Sequence, residues 1–354
     1  MCGIAGYFGR GEIPQARVDR ALRAMRQRGP DASGVQRFAR PQGGTALLLH
    51  SRLAIIDLDP RSTQPFQIGD QWISFNGEIY NYVEMRRELM AAGVRFRTES
   101  DTEVLLASIE RYGAAVAADR AEGMWAFALY DEKTGALTLS RDRFGEKPLY
   151  IHRAEDGIYF GSEPKFIFAM MGRSLPVNKQ HLMRYIVNGY KSLYKTRDTF
   201  FQGLEELAPA SVLEISANDQ ARAECYWTPR FAPDPGMTRE HAVAGIRDRL
   251  RETMRLRLRS DVPLAFLLSG GVDSNVLTSI AKRDFGYDAH AFTIVNDDER
   301  YDERDIVEQS VAHLGIRHTS VPITPEEFLP RLRDLVAYHD APVFTITYYV
   351  QWLS

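Results

Sequence analysis

Met1-Cys2-Gly3-Ile4-Ala5-Gly6 is the stretch on which the reading of this chain turns. An initiator methionine is ordinarily trimmed when the second residue is small, and Cys2 is small enough. Trimming leaves Cys2 with a free α-amine beside its own thiol. The amine titrates near pH ~8 and the thiol near ~8.5, so the two can trade a proton close to neutrality. One residue is then both nucleophile and base. Gly3 to Phe8 are small, apolar or aromatic and suit a buried strand, which would hold the chain end in a core instead of letting it fray. Taken alone, an incidental cysteine near a disordered start is the simpler reading. The rest of the chain reverses that preference.

The 354 residues are too many for one ordinary core, so two domains are expected. Apolar residues make up 44% and charged residues 26%, as in a soluble globular protein. The net charge of -3 implies no polyanion, so no nucleic-acid partner is expected. No charged-then-apolar leader opens the chain, and no apolar run is long enough to span a bilayer. Cys2 and Cys225 are expected to be free thiols in a reducing compartment, with the cytoplasm as the working placement. Nothing in the sequence excludes a homodimer.

Beyond the opening strand, Val18 to Arg26 reads as a helix that stops at Arg28-Gly29-Pro30-Asp31. Thr45 to His50 reads as a strand running into Ser51-Arg52-Leu53-Ala54-Ile55-Ile56. Arg52 interrupts an apolar run, which is costly unless it meets an anion or reaches solvent at an edge. Trp72 to Phe75 is another strand, ending at Asn76-Gly77. Asn-Gly is a strong turn signal, so a hairpin turn is one reading. The other uses the same turn to aim an Asn side-chain N–H and a Gly backbone N–H at one point, as an oxyanion hole requires. Tyr82 to Ala92 has helical spacing. Thr98 to Glu103 is polar and acidic before a second helix, and capping by Ser100 or Asp101 explains it without excluding a ligand. Met124 to Tyr130 and Leu137 to Ser140 read as a hairpin. Arg141 to Tyr150 is a charged loop leading into further strands.

This half resembles a class II glutamine amidotransferase domain, an N-terminal-nucleophile hydrolase of αββα layering. The matching stretches are Met1-Cys2-Gly3-Ile4, Arg28-Gly29-Pro30-Asp31, His50-Ser51-Arg52-Leu53, Asn76-Gly77-Glu78-Ile79-Tyr80-Asn81, Ser100-Asp101 and Arg141-Asp142, in the family's order. The resemblance implies that Cys2 attacks the side-chain amide of glutamine and that Asn76 and Gly77 hold the oxyanion. It implies that Arg52 grips the α-carboxylate, that Asp101 takes the α-ammonium, and that Glu78 lies near the amide. Main-chain groups of Leu53 and Ile55 would complete the pocket.

Residues 173–235 carry mixed signals, with a short helix at His181 to Val187 and a Pro-rich linker after Tyr226-Trp227. The expected division is 2–190, a connecting segment 191–238, and a second domain 239–354. In the latter, Arg239 to Arg259 is helical, with Val243, Ile246, Leu250, Met254 and Leu258 in one apolar stripe. The apolar strand ending at Leu267-Leu268 then feeds Ser269-Gly270-Gly271-Val272-Asp273-Ser274 and a helix. Backbone N–H groups at such a helix start favour a phosphate. No Gly-Lys-Ser/Thr follows, so this is not a Walker A loop. Strands at His290 to Ile294 and Thr319 to Val321 alternate with a helix at Glu303 to Leu314, which implies a parallel sheet.

The hexapeptide Ser269 to Ser274 resembles the pyrophosphate loop of ATP pyrophosphatases, and the two halves in this order resemble the glutamine-hydrolysing asparagine synthetase family. The expected fold is an α+β N-terminal-nucleophile αββα sandwich followed by an α/β parallel-sheet ATP-pyrophosphatase domain, incomplete at its C-terminal end. By resemblance, ATP is a co-substrate held by Leu267, Ser269, Gly270, Gly271, Asp273, Ser274 and Ile294. Leu267 and Ile294 would flank the adenine, and Asp273 would help hold Mg²⁺. Aspartate would become β-aspartyl-AMP, and ammonia from Cys2 would displace AMP. His339 to Thr347 departs from the family's usual stretch, which leaves room for another acceptor carboxylate, for example on a sugar. A β-lactam-forming relative would need no ammonia and so no Cys2. A glutaminase-only fragment and a silent glutamine-binding scaffold are the remaining alternatives.

Overall fold

A computed structural model describes residues 1–295, 302–323 and 325–353. Contacts divide the chain into two units, Met1–Arg230 and Phe231–Ser354.

The first unit holds two six-stranded antiparallel sheets. One contains β1 (Gly3–Gly9), β2 (Ala32–Ala39), β3 (Thr45–Arg52), β8 (Tyr150–Ala154), β9 (Gly157–Gly161) and β10 (Leu204–Glu206), in the order β10-β8-β9-β1-β3-β2. The other contains β4 (Phe66–Ile68), β5 (Gln71–Ile79), β6 (Gly123–Asp131), β7 (Ala136–Arg141), β11 (Ser211–Ile215) and β12 (Ala221–Cys225), in the order β12-β11-β7-β6-β5-β4. Successive side chains of a strand point to opposite faces. Ile4 and Phe8 of β1 therefore meet Ala126, Ala128 and Leu139 of the opposite sheet, in a core between the sheets. Ala5 and Tyr7 point the other way, into a core shared with α1 (Gln15–Met25) and α5 (Pro164–Met171). A third core lies where Ile73, Phe75 and Ile79 of β5 meet α2 (Tyr82–Ala91), α3 (Asp101–Tyr112) and α4 (Ala114–Arg120). The layers are helix, sheet, sheet, helix. Because every residue of β1 is buried, the chain start is fixed.

Two local expectations change. Asn76-Gly77 forms no turn: both residues lie inside β5, paired with Ala126 and Trp125 of β6. Gly77 is needed there for another reason. A Cβ on it would stand 2.2 Å from the Met124 carbonyl oxygen, so its absence lets the neighbouring strand approach. Long-range pairing overrides the local turn preference. Residues 191–238 are also more than a connector. Within them β10 pairs with β8, β11 pairs with β7 and β12 pairs with β11, so this stretch completes both sheets. β10 and β11 pair with strands distant in sequence, while β12 is an exposed edge strand paired with its neighbour β11. Another helix of this unit, α6 (Lys179–Asn188), is capped by the Asn178 side chain.

His50 on β3 is fully buried, with Nε2 3.1 Å from the Phe75 carbonyl oxygen and Nδ1 without a partner among the described residues. Burial pushes its pKa from 6.5 down to about 3, so the native imidazole is neutral and donates from Nε2. The unfolded chain takes up this proton below 6.5 while the native state does not until about 3, so stability is lost as pH falls through that window. His50→Gln keeps a donor for Phe75 and cannot titrate. Its urea midpoint should fall less steeply on acidification than that of the parent.

In the second unit, β13 (Ala265–Leu267), β14 (His290–Val295) and β15 (Arg317–Pro322) form a parallel sheet in that order. The unit also contains α7 (Arg239–Arg257), α8 (Val272–Phe285), α9 (Arg304–Leu314), α10 (Phe328–His339) and α11 (Ile346–Leu353). The stripe expected on α7 is only partly covered: Met254 is buried, while Val243 and Ile246 are exposed. No helix among the described residues is long and apolar enough to cross a membrane.

Candidate active site

The alternation that builds the cores also builds a cleft. On β3, Ala46 and Leu48 face the opposite sheet, so Arg52 has the same facing. Cys2, two residues before Ile4, shares the inner face of the same sheet. On β5, Ile73, Phe75 and Ile79 face the helices, which leaves Asn76 and Glu78 on the other side. Cys2, Arg52, Leu53, Ile55, Asn76, Gly77, Glu78 and Asp101 all line one cleft. The structure thus brings together every residue expected to contact glutamine.

Cys2 Sγ lies 3.3 Å from the Leu53 N–H, which donates to it, and 3.5 Å from the Leu53 carbonyl. Burial pushes the thiol pKa up, and the Leu53 amide offsets this in part. Arg28 anchors the main chain here: Nε donates to the Cys2 carbonyl at 2.8 Å, and a terminal nitrogen pairs with Glu163 at 2.8 Å. Gly29 next to it has no room for a Cβ, which would meet Ser51 backbone at 2.3 Å. Met1 also lines the cleft, with Sδ 3.2 Å from Lys147 Nζ.

Arg52 does not reach solvent. It is 6% exposed, donates to the Asp59 carbonyl at 2.9 Å and also to the Asp57 carbonyl. Among the described residues no carboxylate forms an ion pair with it. The loop that supplies those carbonyls is tied by Asp57, whose Oδ2 accepts from Ser62 Oγ and the Glu99 N–H at 2.7 Å each. The fork is therefore aimed while its charge stays available.

Asn76 is 1% exposed, and neither atom of its amide has a hydrogen-bond partner among the described residues. A buried amide without partners costs about 1–3 kcal/mol. The cost is recovered only when something accepts from it.

Ser100 caps α3, accepting from the Thr102 N–H at 3.1 Å. Glu103 does not close a capping box; it reaches further back, to the Arg97 and Thr98 N–H groups. Asp101 is thereby left to the cleft, where Oδ2 accepts from the Ile79 N–H at 2.9 Å. Burial first, with repulsion from Glu78 added, raises its pKa from 3.8 to about 7. Burial raises that of Glu78 too.

Lys147 was not among the expected residues, yet it lines the same cleft and is 5% exposed. Its loop is organised by Asp142, which is fully buried and accepts from the N–H groups of Trp125, Phe144, Glu146 and Lys147. Arg141 donates to the Lys147 carbonyl at 2.8 Å. Arg141-Asp142 is therefore the frame of this loop.

In the second unit, β13 ends at Leu267 and the chain turns through Ser269, Gly270 and Gly271 into α8. Ser274 Oγ lies 3.2 Å from the Ser269 N and 3.1 Å from the Ser269 Oγ. Asn275 Nδ2 donates to the Ser269 and Gly271 carbonyls at 2.8 and 2.7 Å. The Gly270 N–H meets the Glu303 carboxylate at 2.9 Å, so this backbone does accept an anion. Asp273 sits exposed in the first turn of α8, and Ile294 lies near the C-terminal end of β14. Among the described residues no three metal-ligating side chains cluster.

A family model described as a glutamine amidotransferase domain matches residues 1–227, and one described as asparagine synthase matches residues 245–353. The chain is 34% identical over 350 residues to asparagine synthetase [glutamine-hydrolyzing] 1 of Bacillus subtilis, covering 97% of this chain and 53% of that protein. It is 28% identical over 375 residues to amidase chry2 of Gibberella zeae, covering 97% of this chain and 54% of that protein. The solved structure of an allosteric regulatory enzyme of purine biosynthesis superposes with a TM-score of 0.50 at 15% identity, covering 100% of this chain and 92% of that one. The chain spans about half the length of these curated relatives.

Proposed function

We infer the following activity for a chain that belongs to the glutamine amidotransferase domain family: its first unit hydrolyses the side-chain amide of glutamine at Cys2. The observation that carries this is the partnerless Asn76 amide, buried in the same cleft as Cys2 and Arg52. With Met1 removed, the thiol attacks the amide carbon and its proton passes to the Cys2 α-amine. The oxyanion is held by Asn76 Nδ2 and the Gly77 N–H. The amine returns the proton to the leaving nitrogen, ammonia departs, and water cleaves the thioester to glutamate. A raised thiol pKa makes that base necessary. Arg52 holds the α-carboxylate, a role suited to a fixed fork of donors. Asp101 holds the α-ammonium, and Leu53 and Ile55 supply main-chain contacts. Incubation of the purified chain with glutamine should yield glutamate and ammonia in equal amounts. A glutamine analogue lacking the α-carboxylate should not react, and absence of ammonia from glutamine itself would refute the reading.

The ionisation of Asp101 sets a pH dependence. Below about 7 the empty site's carboxyl is protonated and loses its attraction for the ammonium, so KM for glutamine should rise as pH falls through 7. Asp101→Asn should raise KM and remove this dependence. It should also stabilise the empty protein at pH 8. The native state holds the Asp101 proton between 3.8 and about 7 while the unfolded chain does not, so stability is lost as pH rises through that range. Thermal unfolding at pH 8 checks the second effect and initial rates check the first.

For the second unit we propose ATP-driven activation of a carboxylate, supported by the Ser269 to Ser274 loop at the end of a parallel strand and by the family model over residues 245–353. Leu267 and Ile294 would flank the adenine. Asp273 offers one carboxylate for Mg²⁺, which fits an ion that arrives on the nucleotide's phosphates and neutralises their charge. The acceptor we propose is aspartate, giving β-aspartyl-AMP and then asparagine. The departure at His339 to Thr347 and the relative named as an amidase support another carboxylate as the second reading. Pyrophosphate release against a panel of carboxylates, from a protein containing both units at the relatives' full length, separates the two.

A further inference from the structure

We propose that Lys147 is a positioning residue of the glutaminase site: its buried ammonium disfavours a second positive charge on the Cys2 α-amine and so keeps that amine free to act as base. The proposal rests on the glutamine-hydrolysing reading above.

Three observations carry it. Lys147 Nζ lies in the wall of the cleft that holds Cys2, 3.2 Å from Met1 Sδ, so it borders the space that Met1 leaves. Its side chain is 5% exposed, and among the described residues no carboxylate lies within ion-pair distance of it. The loop's position does not depend on the ammonium, since Lys147 is tied by its own main chain, the N–H donating to the Asp142 carboxylate and the carbonyl accepting from the Arg141 side chain.

Other charges surround the amine. Arg28 touches the Cys2 carbonyl and pairs with Glu163 at 2.8 Å, a carboxylate that Lys165 shares, so Arg28 adds to the positive charge near the chain start. Arg52 is held further along the cleft by the Asp57 and Asp59 carbonyls. Glu78 and Asp101 are the acids of the cleft and Glu146 adjoins Lys147; burial raises the pKa of both cleft acids and lowers that of Lys147, and Glu78 acts against the shift of Lys147. At the chain start Lys147 and Arg28 contribute a positive field that Glu78 opposes. A positive field lowers the pKa of an amine and of a thiol alike, so both changes favour attack near neutrality. At the terminal amine of the untrimmed chain burial lowers the pKa first, Cys2 and Glu78 act to raise it, and Arg28 and Lys147 act to lower it.

The test is the pH profile of kcat/KM for glutamine in the trimmed parent, Lys147→Met and Lys147→Arg, each confirmed folded by circular dichroism. Loss of a nearby buried charge should move the acidic limb of Lys147→Met upward by about 0.5–1 pH unit. Lys147→Arg should restore it. The rate of Cys2 alkylation by iodoacetamide at pH 7 should fall about 3- to 10-fold in Lys147→Met and recover in Lys147→Arg. Lys147→Gln serves as the charge-free variant if the methionine does not fold. An unchanged limb and unchanged alkylation in a charge-free variant that still hydrolyses glutamine would overturn the proposal. A parent without Cys2-dependent ammonia release would instead overturn the reading it rests on.

Discussion

Replacing Cys2 by alanine should abolish ammonia release from glutamine, a loss on the order of 10³-fold or more, since the proposed nucleophile and its attached base would act as one unit. The fold should survive the change. The sulfur makes only long contacts with Leu53, at 3.3 and 3.5 Å, while the main chain stays held by β1 pairing and by Arg28 on the Cys2 carbonyl. A small shift in unfolding temperature together with complete loss of ammonia is the expected pair of results. Glutamine should still bind to Cys2→Ala, because Arg52 and Asp101 are untouched. Calorimetric titration with glutamine checks this, and it separates loss of chemistry from loss of the site.

The second large effect is expected at Asn76. Removing one donor from an oxyanion hole typically costs about 10²–10³ in kcat. Asn76→Ala should show that loss with a much smaller change in KM, because the oxyanion exists only along the reaction path. The substitution should not destabilise the free protein. It removes a buried amide that has no partner among the described residues, and the polar group it deletes costs about 1–3 kcal/mol to leave unpaired. A variant slower in kcat and no less stable to urea is the signature of a group held in readiness for a transition state. A variant that unfolds earlier would mean that Asn76 serves the fold.

Much of this architecture is legible in residue order. The apolar run after Cys2, the interrupted run around Arg52 and the strand before Asn76 each follow from local composition. The period of two then fixes which side chains look inward. What stays hidden is set by distant partners. Asn76-Gly77 carries a turn signal, yet Gly77 is glycine because the β6 backbone passes 2.2 Å from where its Cβ would be. Leu204–Glu206 and Ser211–Ile215 are too short to announce themselves, and they become strands because β8 and β7 offer unpaired edges. Lys147 reads as one more charge in a charged loop. Only the Asp142 frame, which accepts four backbone N–H groups across 125–147, turns it into the cleft. On α7 the apolar period is plain, but the period does not say that Val243 and Ile246 stay exposed.

The central claim is that Cys2 works through its own α-amine. Intact-mass analysis of the chain after reaction with an electrophilic glutamine analogue tests it most directly, using a preparation that contains both trimmed and untrimmed molecules. The account predicts one adduct per molecule, at Cys2, and only on molecules that have lost Met1. Equal labelling of molecules that retain Met1 would contradict it.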